Sequence, residues 1–307
     1  MNYRGGMGMA DAMCKRVIAL LAACVSMGLL GSLAVGEAHA APAPKVTTYM
    51  VKGVAVVKYA PAKATRRPPV VMVHGGAHGP WMWPRQAEAL SAAGYEVHVL
   101  AWYNHGTSRS LPTSQFIQRG IEDVAREEIR HVVDKLGRKP ILIGHSMGGA
   151  AVLSYASRRP VERLVLMTPV VPASVGAEPI EIPLDMTVPF GPFPYDLAKQ
   201  LFFTTLDEQL ARTYHALLVP ESPQAVYQAT RWTLEVDVEA VRAPALVFAT
   251  ELDILTPPAA VSGLAAQLDA DYELVPGIGH SDIALKQPVA SGVIARVIQW
   301  LGSSPRG

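Results

Sequence analysis

Short, continuous apolar runs alternate with longer stretches in which apolar residues recur at helical spacing. Val70–Val73, Val97–Leu100, Ile141–Ile143, Leu164–Met167 and Ala245–Ala249 show the first pattern, expected of strands buried on both faces. Tyr272–Val275 reads as one more strand. Between them the spacing predicts helices over Trp83–Ala93, closed by Gly94, over Ile117–Leu136, closed by Gly137, and over Gly148–Ser157, Pro258–Leu268 and Val289–Leu301. Near the start, Thr47–Val51 and Val54–Tyr59 are β-rich and joined through Lys52-Gly53, as in a hairpin. Strands alternating with helices predict an α/β fold, a mostly parallel twisted sheet covered by helices on both faces.

One stretch breaks the alternation. From about residue 171 to 241 no buried strand is predicted, prolines are frequent and aromatic residues accumulate. Tyr195–Phe203, Leu206–Leu218 and Pro223–Thr233 read as short amphipathic helices. We expect a helical lid inserted after the sixth strand; peripheral helices that merely cover the sheet are the alternative. Phe202 and Phe203 are neighbours on a predicted helix, so they cannot face the same way, and one of them is expected to line a substrate pocket.

The first 40 residues differ again. Lys15 and Arg16 precede an apolar run from Val17 to Val35, and Ala38-His39-Ala40 is a small-x-small site suited to cleavage after Ala40. This predicts a signal peptide over 1–40, export to the periplasm or beyond, and a mature single domain over 41–307. The run is longer than the roughly 7–15 residues of an ordinary signal core. An uncleaved membrane anchor and a lipoprotein modified at Cys24, in Leu21-Ala22-Ala23-Cys24, therefore stand as alternatives.

Composition narrows the chemistry. The chain has 307 residues, half of them hydrophobic, enough for a sizeable core. A net charge of +1 gives no support for a nucleic-acid or acidic-surface partner, which would need a basic patch. Both cysteines, Cys14 and Cys24, lie in the leader, so the mature chain offers no disulfide and no thiolate. The histidines are scattered without metal-ligand spacing, so no metal is expected, and no glycine pattern fits a nucleotide loop.

Gly144-His145-Ser146-Met147-Gly148-Gly149 carries the strongest chemical signal. It falls between a predicted strand and a predicted helix, where a sharp turn thrusts a serine above the sheet and demands glycines around it. A hydroxyl is a weak nucleophile until a base takes its proton. In sheets with such a turn the partners follow in the order serine, acid, histidine. His280, in a glycine-bearing loop after Tyr272–Val275, fits as the base. Asp253, just past Ala245–Ala249, fits as the acid that orients it, with Glu251 the nearest competitor. Developing oxyanion charge needs backbone donors. The amide of Met147 is one, and the loop His74-Gly75-Gly76-Ala77-His78-Gly79 supplies another. Gly76 is assigned, with Gly75 and Ala77 as alternatives. Trp81 and Trp83 are candidates for the pocket wall or for packing of a helix start. His74 is expected to hold its loop and His145 to pack beside the serine. His78, His98, His105 and His131 are expected to be structural or exposed.

These pieces resemble the α/β-hydrolase superfamily over essentially the whole mature chain. The block from His74 to Trp83 is similar to the oxyanion loop of lid-bearing esterases and lysophospholipase-like members, and Tyr103-Asn104-His105-Gly106-Thr107-Ser108 resembles a loop of the same branch. The resemblance implies hydrolase activity and the triad roles of Ser146, Asp253 and His280, with no cofactor. It leaves the substrate open. The expected activity is cleavage of a small, apolar carboxylic ester. Lyase or perhydrolase chemistry at the same residues and a ligand-binding protein on a hydrolase scaffold remain the alternatives.

Overall fold

A computed structural model describes residues 43–303; the leader and its expected cleavage site lie outside them. The strands are β1 (Lys45–Val51), β2 (Val54–Ala60), β3 (Val70–Val73), β4 (Val97–Leu100), β5 (Ile141–His145), β6 (Arg163–Met167), β7 (Ala245–Thr250) and β8 (Asp271–Val275). They form one sheet in the order β1-β2-β4-β3-β5-β6-β7-β8. β2 pairs antiparallel with β1 and β4, and every other pairing is parallel. The expected mostly parallel α/β architecture is present.

The helices are α1 (Pro84–Ala92), α2 (Thr113–Phe116), α3 (Ile121–Val124), α4 (Arg130–Leu136), α5 (Met147–Ala156), α6 (Tyr195–Leu201), α7 (Glu208–His215), α8 (Pro223–Arg231), α9 (Pro258–Gln267), α10 (Asp282–Leu285) and α11 (Val289–Gly302). Strand periodicity divides the core between two faces. Val71, Val73, Leu142, Leu164, Leu166 and Val247 meet α3, α5 and α9 on one side. Val70, Met72, Ile141, Ile143, Val165 and Phe248 meet α1 and α11 on the other. Each such side chain, wholly removed from water, contributes roughly 1.5–3 kcal/mol.

Of two local features, one follows the pattern read along the chain and one departs from it. The β1–β2 hairpin turns as expected through Lys52 and Gly53, both at positive φ (50° and 86°), and the side chain of Arg109 packs against Gly53. The helix expected over Ile117–Leu136 is not continuous. α2 ends before it, and α3 begins after Gly120, whose N–H donates to Asp123 at 2.9 Å. A π turn over Ala125–Ile129 then separates α3 from α4. The break has a partner from elsewhere in the chain: the Ser222 hydroxyl donates to the Arg119 carbonyl at 2.7 Å.

Topology decides where a site can form. The chain passes from β3 to β4 on one side and then sets β5 on the other, so the strand order reverses between β3 and β5. Loops diverge at such a point and leave a crevice beyond the carboxyl ends of the strands. Register aligns those ends: Val73 stands opposite Gly144, and Gly144 opposite Leu166. Further along, Thr250 stands opposite Val275. The loops after β3, β5, β7 and β8 therefore emerge at one edge.

The stretch after β6 contains α6, α7 and α8 and, apart from a single antiparallel bridge between Phe190 and Glu221, no extended pairing. α6 and α7 join the core on the α1 side, whereas α8 joins the other. The insertion thus straddles the edge where the loops emerge.

Candidate active site

Ser146 occupies the turn between β5 and α5 at φ 56°, ψ −126°, a conformation that L residues rarely adopt. Packing holds it there. Its N–H donates to the Met167 carbonyl at 3.0 Å, and its carbonyl accepts from Val170 at 3.0 Å and Ala150 at 3.2 Å. The turn is tight enough to require its glycines. A Cβ on Gly144 would lie 2.7 Å from the Gly148 carbonyl carbon, and one on Gly148 would lie 2.6 Å from the Val73 carbonyl oxygen. Local strain and the glycine spacing therefore have one cause, the close crossing of α5 over β3 and β5.

Asp253 and His280 come together although 27 residues apart: Nδ1–H of His280 donates to Oδ2 of Asp253 at 2.7 Å. Both are buried. The carboxylate is well supplied with donors. Oδ1 accepts from the amides of Leu255 and Thr256, each at 2.9 Å, and Oδ2 from the Thr256 hydroxyl at 2.8 Å. Glu251, the competing acid, instead accepts from the Gly277 amide at 2.7 Å and braces the β8 loop. Asp282 braces the same loop through the Gly279 amide at 3.0 Å.

The His280 loop sits directly over the serine turn. Its carbonyl accepts from His145 Nε2 at 3.2 Å and from Thr168 Oγ1 at 3.3 Å, and the His145 and His280 rings lie 4.8 Å apart. Nε2 of His280, the nitrogen turned away from Asp253, is buried and has no partner among the described residues. Burial, reinforced by neighbouring histidines, pushes His74 and His145 well below their ordinary range. Burial likewise pushes His78 down to about 4. All three are neutral at pH 7 and serve as hydrogen-bonding groups.

The loop after β3 lies against this turn. A Cβ on Gly75 would lie 2.9 Å from the Ser146 Cβ. A Cβ on Gly76 would run into the Met147 side chain, so the second glycine belongs beside the residue that follows the serine. The Met147 amide opens α5, where a helix has no internal acceptor for it. Ala77, one of the alternative oxyanion donors, gives its N–H to Glu221 at 3.0 Å and is taken.

The four aromatic candidates separate. Phe202 is buried with its ring 5.1 Å from His78 and 6.2 Å from His280, and its carbonyl accepts from the Ser281 amide at 3.0 Å. Phe203 is fully buried and turns toward Tyr214. Trp81 is half-buried between His78 and Tyr214, stacked on both. Trp83 is fully buried in the core beneath His145, so its place on a pocket wall is corrected to packing. His105, expected to be structural or exposed, is buried and paired with Glu221 at 3.2 Å. Sequence reasoning missed Glu221, Thr168 and Thr256. Glu221 had one available signal, an acid directly after the apolar run Leu217-Leu218-Val219-Pro220.

Comparison with known proteins bears on the family and the fold. The profile of the Alpha/beta hydrolase family matches residues 70–290. A (lyso)-N-acylphosphatidylethanolamine lipase of Mus musculus is 35% identical over 106 residues, 34% of this chain and 30% of its own length. A 2-hydroxy-6-oxo-6-phenylhexa-2,4-dienoate hydrolase of Comamonas testosteroni is 32% identical over 137 residues, 43% of each chain. These alignments thus span less than half of either relative. Among solved structures, a monoacylglycerol lipase of Paleococcus ferrophilus superposes with a TM-score of 0.59 at 23% identity, covering 83% of this chain and 98% of that one. An enol-lactonase of Burkholderia xenovorans LB400 superposes with a TM-score of 0.62 at 17% identity, covering 84% and 100%. At such identities the structural likeness speaks for the fold, and the family profile, spanning most of the chain, for descent. The chain belongs to the α/β-hydrolase family.

Proposed function

We propose that this protein is a serine hydrolase that cleaves carboxylic esters through an acyl-enzyme on Ser146. The observation that carries the reading is the buried Asp253–His280 pair set over the strained Ser146 turn. His280 Nε2 takes the Ser146 proton as the hydroxyl oxygen attacks the ester carbonyl. The amides of Met147 and Gly76 donate to the resulting oxyanion, a contribution worth about 10²–10³ in kcat for a single donor. His280 passes its proton to the departing alcohol, then takes one from water, which releases the acid. Asp253 fixes the tautomer and steadies the imidazolium. The phenyl ring of Phe202 beside His280 suits an apolar acyl group.

A fluorophosphonate should label the wild type and fail to label Ser146→Ala. Hydrolysis of p-nitrophenyl butyrate by purified Ser146→Ala at the wild-type rate would overturn the assignment. The leader supports export with cleavage after Ala40. Mass spectrometry of the mature chain should place its N-terminus at or near Ala41; a lipidated Cys24 would put the protein on a membrane instead.

A further inference from the structure

Two peptide groups of the loop after β3 are tied almost completely. The Gly75 carbonyl accepts from His74 Nδ1–H at 2.8 Å and from the His78 amide at 3.2 Å. In the next peptide, the Gly76 carbonyl accepts from His78 Nδ1–H at 2.8 Å, and the Ala77 N–H donates to Glu221 Oε2 at 3.0 Å. The Ala77 carbonyl accepts from the Val219 amide at 3.0 Å. The Gly76 N–H is the polar group these ties leave over. Ala77 is held at φ 59°, a backbone conformation that alanine does not choose unaided.

Glu221 is the one member of this clamp that comes from the insertion by side chain, and it is built to be ionised. Oε1 accepts from its neighbour Ser222 N–H at 2.8 Å, Oε2 accepts from Ala77, and His105 Nε2 lies 3.2 Å from the same Oε2. The other nitrogen of His105 donates to the Tyr103 carbonyl at 2.9 Å. His105 thus presents one nitrogen to the Tyr103 carbonyl and the other to the Glu221 carboxylate, within ion-pair reach. Burial opposes its charge, but Glu221 outweighs burial and raises the group above its ordinary value. Burial likewise opposes the Glu221 charge, and His105 together with the two amides holds that carboxyl below its ordinary value. An amide in place of the carboxylate would present N–H to one of the two backbone N–H groups, whichever way it turned.

We propose that Glu221, secured by His105, is a positioning residue: it fixes the Gly75–Ala77 backbone so that the Gly76 N–H points at the developing oxyanion, and it makes the oxyanion site depend on the seating of the insertion. The proposal rests on the reading of Ser146 as nucleophile. Glu221 touches no reacting atom; it acts through the peptide next to the donor. Its removal should therefore affect the tetrahedral state and spare ground-state binding.

The test uses the full mature enzyme, with E221Q and H105Q variants. A p-nitrophenyl ester reports kcat and KM. Phenylboronic acid supplies a tetrahedral adduct: the Ser146 oxygen bonds to boron, its proton passes to His280, and a boron-bound oxygen enters the oxyanion site. We expect kcat to fall at least 10-fold in E221Q, and by a smaller factor in H105Q, with KM within two-fold of wild type. Phenylboronic acid should bind more weakly by the same factor as kcat/KM falls. Either substitution leaves a buried partner without its counterpart, so whichever variant folds decides alone, by the same criterion, if the other does not fold. Unchanged phenylboronic acid affinity in the folded variants overturns the proposal, whatever happens to melting temperature. If the wild type itself takes up no fluorophosphonate, the nucleophile reading fails first and the positioning role falls with it.

Discussion

In the proposed mechanism Asp253 acts without meeting substrate. Its two oxygens receive two amides, two hydroxyls and the His280 ring. Asparagine would keep the volume but offer N–H where His280 now donates, turning the imidazole to the tautomer that cannot accept the Ser146 proton. Asp253→Asn should lower kcat by about 10⁴-fold with KM little changed, as steady-state kinetics on an activated ester can show. A loss of only a few-fold would transfer the role to another acid. Glu251 is poorly placed to inherit it, since it is committed to the Gly277 amide.

Adjacent residues on the insertion should behave differently. Phe202, at the end of α6, faces His78 and His280, whereas Phe203 is sealed in the core with Tyr214. Phe203→Ala should cost about 3–5 kcal/mol of stability and leave the acyl-length profile unaltered. Phe202→Ala should move that profile toward longer chains. Thermal melts alongside kcat/KM over a series of acyl lengths test both, and identical profiles for both variants would make the two rings equally structural. That neighbouring rings diverge was legible from local spacing, although both still approach His78, at 5.1 and 6.2 Å. So were the eight strands, whose apolar runs or hairpin pattern stand in the sequence without reference to distant residues. What periodicity hid was nonlocal. Where α2 and α3 separate, the Arg119 carbonyl accepts from Ser222, about 100 residues later. Trp83 read as a pocket candidate because its neighbours Trp81 and His78 are near the site, but depth below the sheet edge is invisible in a one-dimensional pattern. Glu221 escaped for the same reason: its partners Ala77 and His105 are 144 and 116 positions away, and only the folded chain brings them to it.

Across the whole molecule, buried histidines set the response to acid. His74, His78, His98 and His145 are all pushed below their ordinary value, chiefly by burial. Each is neutral when folded and takes up a proton when unfolded below pH 6.5, so falling pH favours the unfolded chain. Each contributes a slope of roughly 1.4 kcal/mol per pH unit between 6.5 and its folded value. For His78 that interval ends near pH 4. His105 works in the opposite sense, because the folded state already holds its proton above 6.5. Glu221, held below 4.5, adds to the acid loss at the lower end. Urea midpoints measured from pH 8 to pH 4 should fall steeply below pH 6.5 and decline more gently as pH rises above it, where His105 gives up its proton. A flat profile down to pH 5 would show that these rings are not buried as described.

The insertion leaves the sheet after β6 and returns at β7, a contiguous stretch of chain between two strands of one sheet. It meets the oxyanion loop through Val219 and Glu221, and the His280 loop through the Phe202 carbonyl and the Thr205–Asp282 contact. Such an arrangement is a graft junction. Recombination can exchange the insertion as one block while the strand ends keep Ser146, Asp253 and His280 in place. Any transplanted block inherits a docking requirement, however: it must bring a carboxylate for His105 and a backbone amide for Ala77. Lineages diverging in substrate from an ancestor of this kind would vary freely along the insertion and stay monotonous at those few points of attachment.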